Sequence, residues 1–334
     1  MPAREVLRQV GLFVVIVAVV VGGTAVAGTV GFSGDAPSPP EIQNEQFRPS
    51  NALPPTDAES GTVTMDATGE SKTVLIDVGH ENGVSEGDIQ PLVNVLIENG
   101  HEVTYFTRED RDLNESLRSA DAYLVANPHR RYTDSQVAGV EAFEAAGGRV
   151  MLLADPAQTQ VSGGLLMARV EQVGSKDTAV GSSFGVGFGG GYVYNMRENQ
   201  NNFKSVYATA TGSADLTRGV DRVVLRDAAP LVAPDDATVL RGLEGTTLST
   251  TRRQDTYALA ARTGNVTAVG DTSFLNPENV YFADNEVFVG NLADFLVSGN
   301  KTAGAPKPPQ PEGGPTGPTG PGPGPEPRPT PSGA

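Results

Sequence analysis

The sequence predicts an α/β domain in which helices cover both faces of a mostly parallel sheet, forming three layers. In the first half, short apolar segments that suit strands alternate with amphipathic segments that suit helices. This alternation is typical of right-handed βαβ units. Glycines at 100 and at 147–148 stand where predicted helices end. We therefore predict one folded domain over residues 71–299, in which the second half adds strands to the same sheet.

The elements of the first half follow from apolar runs and from helix caps. Thr133 is a good N-cap for the third helix, and Gly100 ends the first. The predicted strands are Thr73–Asp77, Val103–Phe106, Ala122–Ala126 and Val150–Ala154. The predicted helices are Asp88–Asn99, Leu113–Ser119 and Thr133–Ala146.

The second half has a weaker periodicity. Gly264-Asn265 predicts the turn of a hairpin between Tyr257–Arg262 and Val266–Gly270. Short strands are predicted at Tyr192–Met196, Val206–Thr209, Arg222–Leu225 and Thr247–Ser249. Helices are predicted at Leu165–Val173 and, closing the domain, at Asn285–Leu296.

Residues 10–32 form an uncharged apolar run. A transmembrane helix needs roughly 20 such residues, so this run is long enough to form one. Arg4 and Arg8 precede it and acidic residues follow it. This pattern predicts a single-pass cell-membrane protein, with residues 1–9 in the cytoplasm and the domain outside. The lipid bilayer is then a partner through 10–32. Ala25-Val26-Ala27 resembles a signal-peptidase site, so secretion after cleavage near Ala27 is the alternative.

Two further segments have the composition of unfolded chain. Residues 33–70 are rich in Pro, Ser, Thr and acidic residues, which predicts a flexible stalk. Residues 300–334 are rich in Pro and Gly, which predicts a disordered tail. Three Asn-X-Ser/Thr sequons, at Asn114, Asn265 and Asn300, are candidate glycosylation sites if the protein is extracellular.

The composition excludes several classes of function. A formal net charge of −16 argues against a nucleic-acid partner, because there is no excess of basic residues to displace phosphate counterions. Acid-rich, lysine-poor composition predicts a halophilic, haloarchaeal source, because concentrated salt screens the repulsion. The absence of cysteine excludes a thiol nucleophile, a disulfide and a Cys-ligated metal.

Polar residues follow several of the predicted strands, where an open α/β sheet usually binds its ligand. These candidate ligand-binding residues are Asp77, His80, Glu81, Asn82, Asn127, Asp155 and Asp271. They fit a small-ligand pocket or, if the carboxylates converge, a site for a divalent cation. They also fit turn chemistry, in which Asp77 caps a turn, His80 bonds a backbone carbonyl and Glu81 is solvated.

Several segments in order resemble the DUF4350 family, and the resemblance covers nearly all of 71–299. They are DVGHENG, TDSQVAGVEAFEAAGGRVMLLADP, YVYNMRENQNNFKSVYATATGSADLTRGVDRVVL and VTAVGDTSFLNPENVYFADNEVFVGNLADFL. That family is similar to class I glutamine-amidotransferase-like domains and to extracytoplasmic auxiliary domains of gliding-type ABC transporters. The resemblance implies a flavodoxin-like sheet and no established activity.

The nucleophile of an amidotransferase is absent from this chain. Those enzymes place a cysteine on a sharp turn after a strand, whereas here Asp155, followed by Pro156, stands there. We therefore expect a non-catalytic, membrane-anchored accessory domain that binds a membrane protein, such as an ABC transporter, or an envelope complex. The alternative is a hydrolase or metal-dependent enzyme that uses His80 with Asp77 and Asp155.

No cofactor is predicted. Gly185, Gly187 and Gly190 have the G-x-G-x-x-G spacing of a dinucleotide-binding turn. That turn needs a strand before it and a helix after it. Here a polar stretch precedes the glycines and the strand-like YVYN follows them.

Overall fold

The computed structural model describes residues 60–110, 112–162, 169–173, 179–211 and 215–307. The predicted cytoplasmic segment 1–9, the predicted membrane segment 10–32, most of the stalk and the tail beyond 307 lie outside the described residues. Within the described ranges, no helix combines the length and apolarity that membrane crossing requires.

The described chain contains short strands and five α-helices. In chain order the strands are β1 (Thr73–Asp77), β2 (Glu102–Phe106), β3 (Ala122–Ala126), β4 (Arg149–Leu153), β5 (Gln158–Ser162), β6 (Arg169–Val173), β7 (Gly187–Phe188), β8 (Val193–Tyr194), β9 (Ser205–Ala210), β10 (Arg222–Arg226), β11 (Leu231–Val232), β12 (Thr238–Gly242), β13 (Thr247–Leu248), β14 (Ala258–Thr263) and β15 (Val266–Val269). The helices are α1 (Gln90–Glu98), α2 (Leu113–Ser119), α3 (Asp134–Ala145), α4 (Ala179–Ser183) and α5 (Asn285–Val297).

A nine-stranded sheet forms the centre of the fold, in the order β10-β9-β12-β14-β15-β4-β3-β1-β2. The pairings from β2 to β15 are parallel, and those from β15 to β10 are antiparallel. The predicted α/β class is confirmed. The prediction of a mostly parallel sheet holds for one half only, because the later strands join through antiparallel neighbours.

The parallel half follows the predicted elements closely. Asp112 accepts a hydrogen bond from the backbone N–H of Asn114 and so begins α2. Thr133 begins α3 with a capping box in which Gln136 reciprocates. These caps fix the helix starts, and the strands in between have the predicted bounds to within about one residue.

Alternating strand residues divide the core between the two faces of the sheet. Val74 and Ile76 pack with α1 and α5 on one face. Leu75 packs with α2 and α3 on the other. This period of two is the strand periodicity, and it yields the three layers that the sequence predicts.

The second half of the described chain differs from prediction at several elements. The predicted helix Leu165–Val173 is wrong where the structure describes it, because β6 pairs with β5 in an antiparallel ladder from Gln158↔Val173 to Ser162↔Arg169. The valines of RVEQV favour a strand, and the pairing partner lies earlier in the chain, where a local pattern gives no sign of it. Strand β12 was not predicted, whereas the hairpin β14–β15 turns at Gly264 as expected.

Residues outside the predicted domain limits of 71 and 299 form hydrogen bonds with the domain at both ends. The backbone N–H groups of Asp66 and Ala67 donate to Asp294 of α5, at 2.9 and 2.8 Å to Oδ1. At the other end, Lys301 Nζ donates to the carbonyls of Leu117 and Arg118 at the end of α2, at 3.2 and 2.9 Å. The folded part therefore includes the last residues of the predicted stalk and the first residues of the predicted tail.

Candidate functional site

The end of β1 carries a buried network centred on the carboxyl group of Asp77, which is 1 % exposed. Its Oδ2 lies 2.8 Å from His80 Nδ1 and accepts hydrogen bonds from the hydroxyls of Tyr123, at 3.1 Å, and Tyr132. Its Oδ1 accepts from the backbone N–H of Gly79 at 3.0 Å. Because a carboxylate only accepts hydrogen bonds, His80 donates from Nδ1. Four donors thus converge on one buried acid.

The phenol of Tyr132 stays protonated in this network. Its burial, followed by the neighbouring Tyr123 and Asp77, raises the pKa of Tyr132 well above its ordinary value. The neutral hydroxyl is the form that donates to Asp77.

Aromatic rings enclose the imidazole of His80. The ring of Tyr132 stacks on it with centroids 3.8 Å apart and an interplanar angle of 16°. Phe106 lies at 5.7 Å. His80 is 3 % exposed and bonds Asp77, whereas the turn alternative predicts a bond to a backbone carbonyl. The ring is therefore a core group that contacts protein on its faces.

The turn after His80 ties β1 to β3. Asn82 donates from Nδ2 to the carbonyl of Ala126 at 2.8 Å, and its Oδ1 accepts from the N–H of His80 at 3.2 Å. Glu81 has a positive φ of 55° and an exposed side chain that pairs with Arg108 at 2.6 Å. As the turn hypothesis expects, Glu81 faces solvent.

A second polar group joins the ends of β3, β4 and β15. Asn127 donates from Nδ2 to Asp155 Oδ2 at 2.9 Å. The N–H and the hydroxyl of Thr272 both donate to Asp155 Oδ1 at 2.9 Å. Burial raises the pKa of Asp155, and the hydrogen bonds from Thr272 oppose that rise. Asp155 thus joins the β3 and β15 ends.

Asp271, next to this group, is fully buried. It accepts from the backbone N–H of Arg226 at 2.8 Å, from that of Ser273 at 2.7 Å and from the Ser273 hydroxyl at 3.1 Å. Burial and, second, the charge of Asp155 raise the pKa of Asp271 to about 7. The acid therefore holds the β15 end against the β10 end, and its protonation changes in the neutral range.

The sequence-predicted residues therefore separate into two bonded groups with different roles. Asp77, His80 and Asn82 belong to the β1 end, whereas Asn127 and Asp155 belong to the second group. The hydrogen bonds given by the described residues connect Asp155 with Asn127 and Thr272, and they connect His80 with Asp77. In the ranges that the structure covers, no group of three or more His, Asp or Glu side chains is placed to hold a metal ion.

Three members of these networks escaped the sequence reasoning: Tyr123, Tyr132 and Thr272. Tyr123 stands in the apolar strand AYLVA, and a hydroxyl in such a strand signals a buried polar partner. Tyr132 lies in a loop before α3, where the sequence alone gives no such signal.

An open concavity of about 600 Å³ lies in the later half of the chain, near β8 and β13. Its lining combines aromatic, charged and amide groups: Tyr194, Asn195, Met196, Arg197, Glu198, Glu244, Gly245, Thr247, Arg252 and Gln254. Asn195 is buried and accepts from the N–H groups of Arg197 and Glu198, both at 3.0 Å, which fixes the loop at the rim.

Apolar side chains are exposed beside this concavity. Met196 is 71 % exposed and Phe203 is 41 % exposed. Phe203 meets Tyr194 edge to face at 6.0 Å, and the guanidinium of Arg252 lies 5.8 Å from the Tyr194 ring. We call these four residues the Tyr194 surface. Aromatic, Met and Arg side chains are the types enriched in protein interfaces.

The three sequons lie in different environments. Asn114 is buried, and its Nδ2 donates to the carbonyl of Ser135 at 3.3 Å. Asn265 accepts from Arg149 and donates to the carbonyl of Glu144 at 3.4 Å. Asn300 is exposed. Of the three amides, that of Asn300 is the most accessible to a modifying enzyme.

The model of the DUF4350 family, described as a domain of unknown function, matches residues 89–293. No curated protein matches the chain.

Solved structures show similarity at low identity. The mmIFT52 N-terminal domain is 12 % identical with a TM-score of 0.52, over 67 % of this chain and 96 % of that one. A putative ThuA-like protein from Bacteroides uniformis is 11 % identical with a TM-score of 0.42, over 70 % and 95 %. The cytoplasmic protein STM1381 from Salmonella typhimurium is 14 % identical with a TM-score of 0.40, over 67 % and 99 %. The first similarity concerns the fold alone, and the other two are too weak to indicate a shared role.

Replacing Asp77 with alanine is expected to lower the free energy of unfolding by about 3 kcal/mol, because it leaves His80 and two buried hydroxyls without their acceptor. Denaturant unfolding measures the change. The control is Asp236→Ala on an exposed turn, with an expected change within about 0.5 kcal/mol. Equal effects of the two substitutions would contradict the structural role of Asp77.

The raised pKa of Asp271 predicts a pH-dependent stability. Between the ordinary pKa of 3.8 and the folded value of about 7, the folded chain binds more protons than the unfolded chain. The free energy of unfolding therefore falls as pH rises through this window, by at most about 1.4 kcal/mol per pH unit for this group. The substitution Asp271→Asn should reduce this dependence of the free energy of unfolding on pH.

Unfolding curves at several pH values between 4 and 7, the window set by the two pKa values, measure that slope for each variant. Asp236→Asn, which changes an exposed acid, is expected to keep the slope of the unaltered chain. An unaltered slope in Asp271→Asn would mean that Asp271 is ionised throughout the window.

Proposed function

Because the chain belongs to the DUF4350 family, whose description names no activity, we propose its function from its own geometry. It is a non-catalytic binding domain that a membrane anchor at 10–32 holds outside the cytoplasm. There it serves as an accessory subunit of a membrane complex, such as a transporter or an envelope assembly. The arrangement of its polar side chains supports a binding role, and the apolar run at 10–32 supports the anchor.

One observation carries the proposal: the strand-end carboxyl groups are bonded to neighbouring side chains and to the backbone. Asp77 has four donors, and Asp155 and Asp271 each have several. A catalytic acid or base must reach the proton that it transfers. His80, at 3 % exposure between two rings, is poorly placed to do so.

The Tyr194 surface is the proposed contact with the partner protein. It places exposed Met196 and Phe203 beside an open concavity of about 600 Å³. Aromatic and Arg side chains carry much of the binding energy in protein interfaces, where exposed apolar groups leave water. The charged rim, which includes Arg197, Glu198 and Glu244, suits a polar border around such a contact.

We also propose that the parallel half of the fold is flavodoxin-like. Five parallel strands between two helical layers support a flavodoxin-like core, to which the antiparallel strands are an addition. The acidic composition supports a halophilic source and work at high salt. Salt screens charge pairs, so an apolar contact is the kind of interface that persists under those conditions.

Site-specific photo-crosslinking in native membranes tests the proposed contact. A photo-reactive amino acid at position 196 of the full-length chain is expected to give one discrete adduct at high salt. The substitution Phe203→Ser should abolish it, because it removes the adjoining apolar group. Ile97→Ser is the matched control, since Ile97 is 55 % exposed on α1, outside the Tyr194 surface.

Thermal unfolding of each variant establishes that the domain is intact. An adduct that forms equally in the Phe203→Ser and Ile97→Ser chains would exclude the Tyr194 surface as the contact. Recovery of the full-length chain in the cytosolic fraction would contradict the membrane-anchored accessory role as a whole.

A further inference from the structure

A second pocket, of about 290 Å³, lies where residues 66–67 meet α5. Three arginines line it, Arg149, Arg218 and Arg262, together with Phe295. It belongs neither to the strand-end networks nor to the Tyr194 surface. Its size is near the lower limit of small-molecule pockets, so it suits a single small chemical group.

Two of these arginines converge on one aromatic ring. The guanidinium carbons of Arg149 and Arg262 each lie 5.1 Å from the centroid of Phe295. Arg149 begins β4 and Arg262 lies in β14, on either side of β15, so the sheet register holds the two cations together. The charge of Arg262 acts unfavourably on that of Arg149, and a bound anion would relieve this repulsion.

The positive charge of Arg149 is not paired with a carboxylate among the described residues. Its Nη1 donates to the amide oxygen of Asn265, and its Nε is buried without a hydrogen-bond acceptor in that part of the chain. Burial, followed by the nearby Arg262, lowers the pKa of Arg149. The charge of Glu144 opposes this shift, so the fold compensates the cation in part.

The acids of the pocket leave these arginines largely available. Asp294 accepts hydrogen bonds from the N–H groups of Asp66 and Ala67 and so holds the stalk end. Asp215 is 79 % exposed and reaches Arg262 at 3.9 Å, the outer limit of an ion pair. Asp66 is also 79 % exposed and pairs with Arg218 at 3.7 Å. Exposed pairs of this kind contribute little and are easily displaced.

We propose that this pocket binds a phosphate-type oxyanion, with the guanidinium groups of Arg149 and Arg262 as its main donors and Phe295 as its floor. Arginine is the side chain best suited to such groups, because its planar fork donates two parallel hydrogen bonds. The oxyanion is either a free phosphate or the headgroup of an anionic lipid. This site does not depend on the partner contact at the Tyr194 surface.

Calorimetric titration of the full-length protein in neutral detergent tests the site, with inorganic phosphate as the probe at constant ionic strength. Vesicles of neutral lipid with and without phosphatidylglycerol form the second arm. Saturable binding of either probe is expected, and Arg262→Gln should weaken it about tenfold, the loss expected for a charge-assisted hydrogen bond. Binding of phosphate identifies a free anion, and binding of the anionic vesicles alone identifies a lipid headgroup.

Arg241→Gln is the matched control, because the Arg241 side chain is 29 % exposed against 27 % for Arg262 and pairs with Asp235 away from the pocket. This variant should bind as the unaltered chain does. Thermal unfolding of both variants shows whether the domain is intact, and Arg262→Lys, which keeps the charge, should restore part of the affinity if the first variant unfolds. Absence of binding in both arms, or equal weakening by Arg241→Gln and Arg262→Gln, would overturn the proposal.

Discussion

The hydrogen bonding of the buried Asp77 carboxyl determines which polar groups are available for chemistry at the edge where the parallel strands end. An acid at this depth is tolerated only where donors surround it, and here a histidine, two tyrosines and a backbone N–H do so. The donors come from the turn after β1, from β3 and from the loop before α3. The network therefore fixes the relative positions of three segments, and it uses the groups that a catalytic site would need.

Asp155 and Asp271 extend the same principle along the sheet. Because β3, β4 and β15 run parallel in register, their ends meet at one edge, and Asp155 links them through Asn127 and Thr272. Asp271 links β15 to β10, across the change from parallel to antiparallel pairing. Because these acids are bonded internally, we propose that recognition occurs at other surfaces. These are the Tyr194 surface and the pocket lined by Arg149 and Arg262.

Local patterns predicted the parallel half of the fold well. The cap at Thr133 and the apolar strands each act within a few residues, so the sequence shows them directly. The helix predicted at 165–173 was wrong at β6 because the pairing with β5 depends on another segment. The strand-end acids were predicted because each directly follows an apolar strand. The partners of Asp77 and Asp155, Tyr132 and Thr272, come from loops that are distant in the sequence. The sequence therefore showed where polar groups lie but not that they bond each other.

The most direct test of the central claim, that these polar groups belong to the core, is the reactivity of His80 towards diethyl pyrocarbonate. The chain has only 3 histidines, so mass spectrometry resolves each site of modification. We expect His80 to resist the reagent in the folded chain and to react only as fast as the whole domain unfolds. Modification of His80 in the folded chain at the rate of the denatured chain would contradict the account, because it would place that imidazole in an open site.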